Sequence, residues 1–529
     1  MKNKYIDIHP PVFWPATILI ILFIGVTLWV GEPMEQIFDN MKTFITDKTG
    51  WLFILVVNVF IIFCIYVGFS KYGKIKLGGK DAETEFSTSA WFAMLFSAGM
   101  GIGLLFWGVA EPVNHYANSP ISDDYSPEAA QNAMNLTFLH WGFHAWAIYT
   151  VVALSLAFFA YNRKLPLTIR SVFYPLLGER INGWIGDVID VFAVLATLFG
   201  LATSLGLGVQ QVGGGLFYLF KIPNTVTTQV ILIAVITLIA TMSVVSGIDK
   251  GVKFLSEWNV RIAAMLLVFV LIFGPTLFIM RGFIQNVGNY MNNFIEVSTW
   301  TEAIRDKGWQ GDWTVFYWAW WISWSPFVGM FIARVSKGRT IREFVLGVLL
   351  IPALLTFLWM TAMGGSAIYL DMQSGNHDLA NAIVADASTA LFVFIQEFPF
   401  SMLGSIIGLF LVTSFFVTSS DSGSLVIDNI TSGGKLDSPV PQRVFWATAE
   451  GAVAAALLIG GGLGALQTAS ITTGLPFLVI LLLMMYSLNK GLKSEYLKMT
   501  QLEKEPDKKR YEKKLEDTLI KKQGIKKKE

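Results

Sequence analysis

Long apolar runs that alternate with short polar stretches dominate the sequence and restrict the chain to one environment. A helix needs about 20 largely apolar residues to cross about 30 Å of hydrocarbon. Only 15% of the 529 residues are charged, against about 25% in soluble domains, so the chain has too little polar surface to cover itself in water. We therefore predict an all-α polytopic membrane protein of about 12 transmembrane helices. The candidate spans lie near residues 14–31, 51–70, 88–110, 140–160, 187–212, 229–246, 258–280, 313–334, 343–364, 401–420, 444–463 and 474–489.

The basic residues between these runs predict the orientation. If the N-terminus is cytoplasmic, the inner loops and the N-terminal segment carry 18 Lys and Arg before the C-terminal tail, and the outer loops carry six. The positive-inside rule therefore places both termini in the cytoplasm and requires an even number of spans. The net charge of +1 provides no basic field for nucleic acid, so no nucleic-acid partner is expected.

The chain divides into six predicted regions. A cytoplasmic segment (1–13) precedes two peripheral spans (14–87). Two blocks of five spans (88–282 and 313–489) flank an extracellular amphipathic segment (283–312), and a charged cytoplasmic tail (490–529) follows. The tail holds fourteen Lys and Arg and eight Asp and Glu. It is either a solvated tail or a helix that touches anionic lipid.

The third span carries three alternating glycines, Gly99, Gly101 and Gly103. Each interior glycine costs a helix roughly 1 kcal/mol relative to alanine, so local unwinding is inexpensive here. Broken helices near the membrane midplane expose backbone groups that hold substrates and ions in transporters. Tight packing through small residues is the alternative explanation.

Aromatic residues crowd the eighth and fourth spans. Within seven residues the eighth span places four indoles, and the fourth span adds two indoles and a phenol: Trp318, Trp320, Trp321, Trp324, Trp141, Trp146 and Tyr149. Ring faces attract cations, and cages of rings are the usual way to bind choline-like groups. An interfacial aromatic belt is the alternative.

Two further patterns concern metals. His140 and His144 have the i,i+4 spacing of some metal sites, but no third ligand lies nearby in the sequence, which favours packing or hydrogen bonding. Hydroxyl side chains at Thr197 and Ser204 in the fifth span and at Thr418 and Ser419 in the tenth offer the oxygen ligands that hard cations prefer. Many such hydroxyls only bond the carbonyl one turn back.

At these residues the chain closely resembles the betaine/carnitine/choline transporter family. The resemblance rests on the segments AGMGIGLLFWGVAEP, HWGFHAWAIY, TSLGLGVQQ, FYWAWWISWSPFVGMFIARVSKGRTIREFVLG and TSSDSGS, which occur in the family's order over nearly the whole chain. It implies two inverted five-helix repeats of the LeuT type after two N-terminal helices. It also implies a homotrimer in a bacterial cytoplasmic membrane.

The resemblance also assigns roles to residues. The substrate ammonium is expected in a box of Trp141, Trp146, Tyr149 and Trp321, with Trp320 and Trp324 in or beside the pathway and the substrate carboxylate near Gly99–Gly103. One sodium site corresponds to Ser97, Met100, Phe415, Thr418 and Ser419. A second corresponds to Thr197 and Phe327, with Ser204 as a further candidate. There the family's second threonine is replaced by Leu201, which removes one hydroxyl ligand.

Two positions select among the family's activities. Gly103 stands where proton-coupled choline carriers tend to have aspartate. Carnitine exchangers have a fixed arginine where sodium would bind. The third, fourth, fifth, eighth and tenth spans contain no arginine except Arg334, which is the last residue of the eighth span. The resemblance therefore implies sodium-coupled uptake of glycine betaine by alternating access, with sodium as the coupling ion and no other cofactor. Transport of choline, carnitine or another betaine is the first alternative and an osmotically gated channel the second. No paired carboxylates or Ser-His-Asp pattern at membrane depth suggests an enzyme.

Overall fold

The computed structural model describes residues 6–99, 101–246, 251–304, 308–435 and 438–525. The described chain is helical, with one isolated bridge between Lys76 and Thr340. The helices of the first half are α1 (Pro10–Val30), α2 (Pro33–Phe69), α3 (Thr88–Gly99), α4 (Ile102–Ala117), α5 (Pro127–Trp141), α6 (Phe143–Tyr161), α7 (Tyr174–Leu177), α8 (Trp184–Phe220) and α9 (Val226–Ser246). Those of the second half are α10 (Gly251–Phe273), α11 (Thr276–Thr299), α12 (Phe316–Val335), α13 (Ile341–Met360), α14 (Ser366–Ser374), α15 (Asp378–Ala385), α16 (Ala390–Ile395), α17 (Ser401–Thr431) and α18 (Val440–Ile525).

The architecture confirms an all-helical, polytopic membrane protein. Among the described residues, nine helices are long and apolar enough to cross a membrane, or ten if the bent pair of Asp378–Ala385 and Ala387–Ile395 counts as one span. The predicted number of twelve is not reached by this criterion. One reason is that the third predicted span is divided between α3 and α4. Another is that the last two predicted spans lie within α18, which consists of two helices joined at the non-helical residues Gly461 and Gly462 and counts once.

Burial separates central helices from peripheral ones. In α6, every residue from His144 to Phe159 is buried, which is expected of a helix that is apolar all round and surrounded by protein. Helix α8 packs against α12, α17 and α18. In contrast, α1 and α9 expose large apolar side chains such as Ile21 and Leu238. Their outward faces match hydrocarbon rather than water.

Two boundaries differ from the predicted ones. The seventh span ends at Phe273 instead of near residue 280, because the helix breaks at Gly274 and Pro275. The amphipathic helix α11 therefore begins at Thr276 rather than at residue 283. The region 365–400, predicted as an outer loop, contains the short helices α15 and α16, whose axes are bent by 112°.

Candidate functional site

The third predicted span is broken where its glycines lie. Helix α3 ends at Gly99, α4 begins at Ile102, and Gly101 between them is extended, with φ −156° and ψ −172°. The break predicted from the glycines is observed at Gly101, while Gly99 is the last helical residue of α3 and Gly103 already belongs to the first turn of α4. The break leaves the first backbone N–H groups of α4 without helical partners, as at any helix N-terminus.

The fourth predicted span is bent at Gly142, which separates α5 from α6. A side chain at Gly142 would place its first carbon 2.6 Å from Cζ of Phe357 and 2.4 Å from the carbonyl oxygen of Phe138. Only glycine fits this close approach. The bend puts Trp141 at the end of α5, and Trp146 and Tyr149 on α6.

Helix α12 presents its indoles to this bend. The rings of Trp320 and Trp321 are stacked, with centroids 4.6 Å apart. The Trp321 indole N–H donates to the carbonyl oxygen of His140 at 2.9 Å, near the C-terminus of α5. The Trp320 N–H lies 3.3 Å from both the Gly200 carbonyl oxygen and Ser204 Oγ on α8. Each indole is therefore fixed by a hydrogen bond to a different helix.

The four rings predicted to form a box meet in one place. Trp321 contacts Trp141 edge to face at 4.9 Å and Tyr149 at 6.2 Å between centroids, and Tyr149 contacts Trp146 at 5.5 Å. None of the four side chains is more than 5% exposed. Such edge-to-face pairs stabilise the arrangement by about 0.5–1.5 kcal/mol each beyond their burial. We call these four residues the aromatic cage.

A small hollow of about 10 Å³, roughly the space that one water molecule needs, lies beside Trp141 and Trp321 of the cage and the break in the third span. Trp324, whose ring packs against Phe327 at 5.4 Å, lies on its wall. The lining residues are Gly101, Ile102, Gly103, Leu104, Trp141, Ser204, Trp320, Trp321 and Trp324. Ring faces and the N-terminus of a helix thus border one space, a combination that suits a molecule with a cationic and an anionic end.

A carboxylate that the sequence patterns did not predict lies behind the cage. Glu111 follows the predicted end of the third span near residue 110, but α4 continues to Ala117 and the Glu111 side chain is completely buried. Its Oε2 accepts the indole N–H of Trp141 at 2.6 Å and the hydroxyl of Tyr317. Oε1 lies 2.7 Å from Nδ1 of His140. An acidic residue at the edge of an apolar run was the available signal, because such residues are rare within membranes and commonly functional.

The histidine pair does not form a metal site of its own. His140 and His144 lie on either side of the break at Gly142, so the i,i+4 relation of a continuous helix does not hold. His144 Nε2 lies 3.3 Å from Asn58 Oδ1, while His140 contacts Glu111 and Thr314. Hydrogen bonding, which the sequence favoured, is confirmed. One group could bring metal ligands together: atoms of Glu111, His115 and His140 lie within 4.8 Å of one another.

The residues of the first predicted sodium site occupy two helices. Ser97 is half-buried on α3, and Phe415 and Thr418 are buried on α17, with Ser419 half-buried beside them. Met100 lies outside the described residues. The Thr418 hydroxyl accepts a hydrogen bond from Asn259 Nδ2 on α10 at 3.1 Å. This amide was not identified from the sequence, since Asn259 is isolated in its span.

The residues of the second predicted sodium site are not all neighbours. Thr197 and Ser204 both lie on α8, and seven residues of α-helix span about 10 Å, too far for two ligands of one ion. The Thr197 hydroxyl donates to the Ala193 carbonyl at 2.7 Å. Ser204 lines the hollow beside Trp320. Ser204 is therefore better placed to contact a solute than to share a cation with Thr197.

Comparison with known proteins agrees with this geometry. A glycine betaine/proline/choline transporter of Vibrio parahaemolyticus is 48% identical over 93% of this chain and 91% of its own length. Glycine betaine transporters of Acinetobacter baylyi and Bacillus subtilis are 47% and 45% identical. They match over 94% and 93% of this chain and over 75% and 96% of their own lengths.

The profile of the betaine/carnitine/choline family transporters matches residues 11–497, which includes the broken third span, the bent fourth span and the indoles of α12. The cage and the hollow lie within this matched region. The protein is a multi-pass membrane transporter rather than an enzyme, and it belongs to the betaine/carnitine/choline transporter family.

Proposed function

We propose that this protein takes up glycine betaine together with sodium by alternating access. The observation that carries the proposal is that the buried rings of Trp141 and Tyr149 both contact Trp321, beside the helix break at Gly101. A trimethylammonium group has no N–H to donate, so ring faces are its natural partners. Each desolvated ring contributes about 2 kcal/mol of cation–π attraction.

The N-terminus of α4 is the proposed binding site for the carboxylate end of the solute. Its N-terminus begins at Ile102, on the wall of the hollow. Backbone N–H groups and the helix dipole favour a carboxylate at that position. A zwitterion with a short spacer, such as glycine betaine, places its charges on the cage and on this helix end at once.

The relatives support the same solute class. Three of them carry glycine betaine in their names, and one also carries proline and choline. Choline, carnitine or another betaine is therefore the second candidate. Competition of labelled glycine betaine uptake by each solute separates these possibilities, because the preferred solute inhibits at the lowest concentration.

The proposed coupling ion is sodium, held by Ser97, Met100, Phe415, Thr418 and Ser419. Backbone and hydroxyl oxygens are suitable ligands for a hard cation. The gradient and the membrane potential would then drive accumulation, with one charge worth about 2.3 kcal/mol per 100 mV. The same proposal includes cytoplasmic termini and a homotrimer, with a tail that is either solvated or touches anionic lipid.

Replacing both Thr418 and Ser419 with alanine is expected to raise the sodium concentration that gives half-maximal uptake by roughly tenfold, because two oxygen ligands are lost. The measurement is initial uptake as a function of sodium at fixed betaine. Thr413→Ala is the matched control, since this hydroxyl on the same helix bonds the Leu409 carbonyl at 2.9 Å. A double variant with the unchanged sodium curve of the control would place the ion elsewhere.

The sodium dependence is expected to be hyperbolic, with a Hill coefficient of about 1, because the second site lacks enough oxygen ligands. Leu201 supplies no hydroxyl there, and Ser204 lies beside Trp320 instead. Uptake measured over a wide range of sodium concentrations gives the coefficient directly. A Hill coefficient close to 2 in the wild type, and the same coefficient in Leu201→Thr, would contradict this expectation.

Uptake of labelled glycine betaine by proteoliposomes tests the proposal. Saturable accumulation that requires an inward sodium gradient, and that ceases when potassium replaces sodium, is the expected result. Linear, non-saturating flux would instead indicate a channel. Accumulation that does not depend on sodium would exclude the coupling.

A further inference from the structure

A single buried carboxylate connects the two walls of the cage. Glu111 is fully buried on α4, and its Oε2 accepts the Trp141 indole N–H at 2.6 Å. Its Oε1 lies 2.7 Å from Nδ1 of His140, whose carbonyl oxygen accepts the Trp321 indole N–H at 2.9 Å. Glu111 therefore holds the Trp141 indole directly, and its other oxygen contacts the ring of the residue whose backbone carbonyl holds the Trp321 indole.

The groups around Glu111 fit a carboxylate that only accepts. An indole N–H can donate but never accept, and the Tyr317 hydroxyl donates to the same Oε2. Two donors therefore converge on Oε2, and ring nitrogens of His140 and His115 lie 2.7 Å and 3.5 Å from Oε1. Burial opposes ionisation of this carboxylate, and the hydrogen bonds from Trp141 and Tyr317 offset part of that cost.

The location of this charge bears on what the cage binds. A negative charge on the N–H edge of Trp141 makes the ring a better partner for a cation, and the carboxylate also attracts that cation directly across the apolar site. Coulomb attraction is strong there because the effective dielectric constant is well below that of water. A neutral molecule of the same shape would gain only dispersion contacts from the same rings.

We propose that Glu111 is the counter-charge and positioning residue of the aromatic cage, and that it gives the cage its preference for a quaternary ammonium over an uncharged group of equal size. The inference rests on the proposed function, since it assigns the origin of substrate selectivity at the same site. The proposed role acts through the indole of Trp141, which donates to Glu111, and does not require Glu111 to touch the solute.

Paired competitors provide the test. Glycine betaine and 3,3-dimethylbutyrate have the same shape, and the second carries a carbon in place of the charged nitrogen. In the wild type, betaine is expected to inhibit labelled betaine uptake far more strongly than this isostere. In Glu111→Gln the inhibition constant of betaine is expected to rise roughly tenfold, because one buried charge at an intermediate dielectric constant is lost. The inhibition constant of the isostere is expected to stay constant. The selectivity is the ratio of the isostere's inhibition constant to that of betaine. Glu111→Asp retains the charge and should keep most of the wild-type ratio.

Two further variants separate a charge effect from a folding defect. Asp371→Asn removes another fully buried carboxylate, which contacts His377 and lies outside the cage; its ratio should equal that of the wild type. Trp141→Phe removes the indole N–H that donates to Glu111. It should lower the ratio by itself and reduce the additional effect of Glu111→Gln. If Glu111→Gln does not assemble, the same ratio of inhibition constants is measured in Trp141→Phe and Glu111→Asp. The ratio should fall in Trp141→Phe and stay near the wild-type value in Glu111→Asp.

The outcomes are distinct. A wild type that betaine does not inhibit would overturn the proposed function itself. A wild type that prefers betaine, together with a Glu111→Gln variant in which both inhibition constants change in parallel or not at all, would overturn only the role of Glu111. A selective loss of betaine inhibition supports both.

Discussion

Truncation of Trp321 to alanine is expected to raise the apparent Km for glycine betaine by about thirtyfold, the equivalent of one desolvated ring at about 2 kcal/mol. The physical reason is its central place in the cage. Trp321 contacts Trp141 and Tyr149 and stacks on Trp320. Its removal therefore deletes one wall and releases the others. Initial uptake as a function of betaine concentration measures the effect.

Two controls separate the ring from the volume it fills. Trp321→Phe keeps an aromatic face but loses the hydrogen bond to the His140 carbonyl, and its Km should lie between those of the wild type and the alanine variant. Trp29→Ala removes an indole that is 86% exposed on α1 and should leave Km unchanged. Equal Km values for Trp321→Ala and Trp29→Ala, at equal expression, would exclude the cage as the binding site.

Adding a single carbon at Gly103 is expected to lower betaine uptake by about fivefold to a hundredfold, since overpacking a tight site costs about 1–3 kcal/mol. A Cβ at this position would lie 2.8 Å from Cη2 of Trp320 and 2.9 Å from Cη2 of Trp141. Both rings would have to move, and they are held by hydrogen bonds to Gly200 and Glu111. Uptake by Gly103→Ala proteoliposomes gives the measurement.

The matched control for this substitution is Gly25→Ala on α1, where a Cβ would meet nothing within 4 Å. It should transport like the wild type and show that an added methyl group does not by itself impair the protein. Normal uptake by Gly103→Ala would mean that the rings yield at little cost. The cage would then be far less rigid than its contacts imply.

Local sequence patterns were sufficient to predict much of the site. The glycines at 99 and 101 weaken one helix at one place, so the break could be anticipated from propensity alone. The indole spacing on α12 defines which rings share a face, and the structure brings Trp321 onto Trp141 and Tyr149. These features depend on neighbours in the chain.

Features that depend on distant packing could not be predicted. Glu111 is buried because α4 extends a further turn and meets Tyr317, a residue 206 positions away. The helices α15 and α16 are too short for a hydropathy window to identify as a span. The partner of Thr418, Asn259, lies on a helix whose sequence gives no reason to expect the contact.

The most direct test of the central claim is calorimetric titration of glycine betaine into the purified protein in sodium-containing buffer. We expect saturable binding to the wild type that is lost in Trp321→Ala, while the Trp29→Ala control binds normally. Absence of binding to the wild type, or equal affinity in the wild type and Trp321→Ala, would contradict the claim that these rings hold a quaternary ammonium.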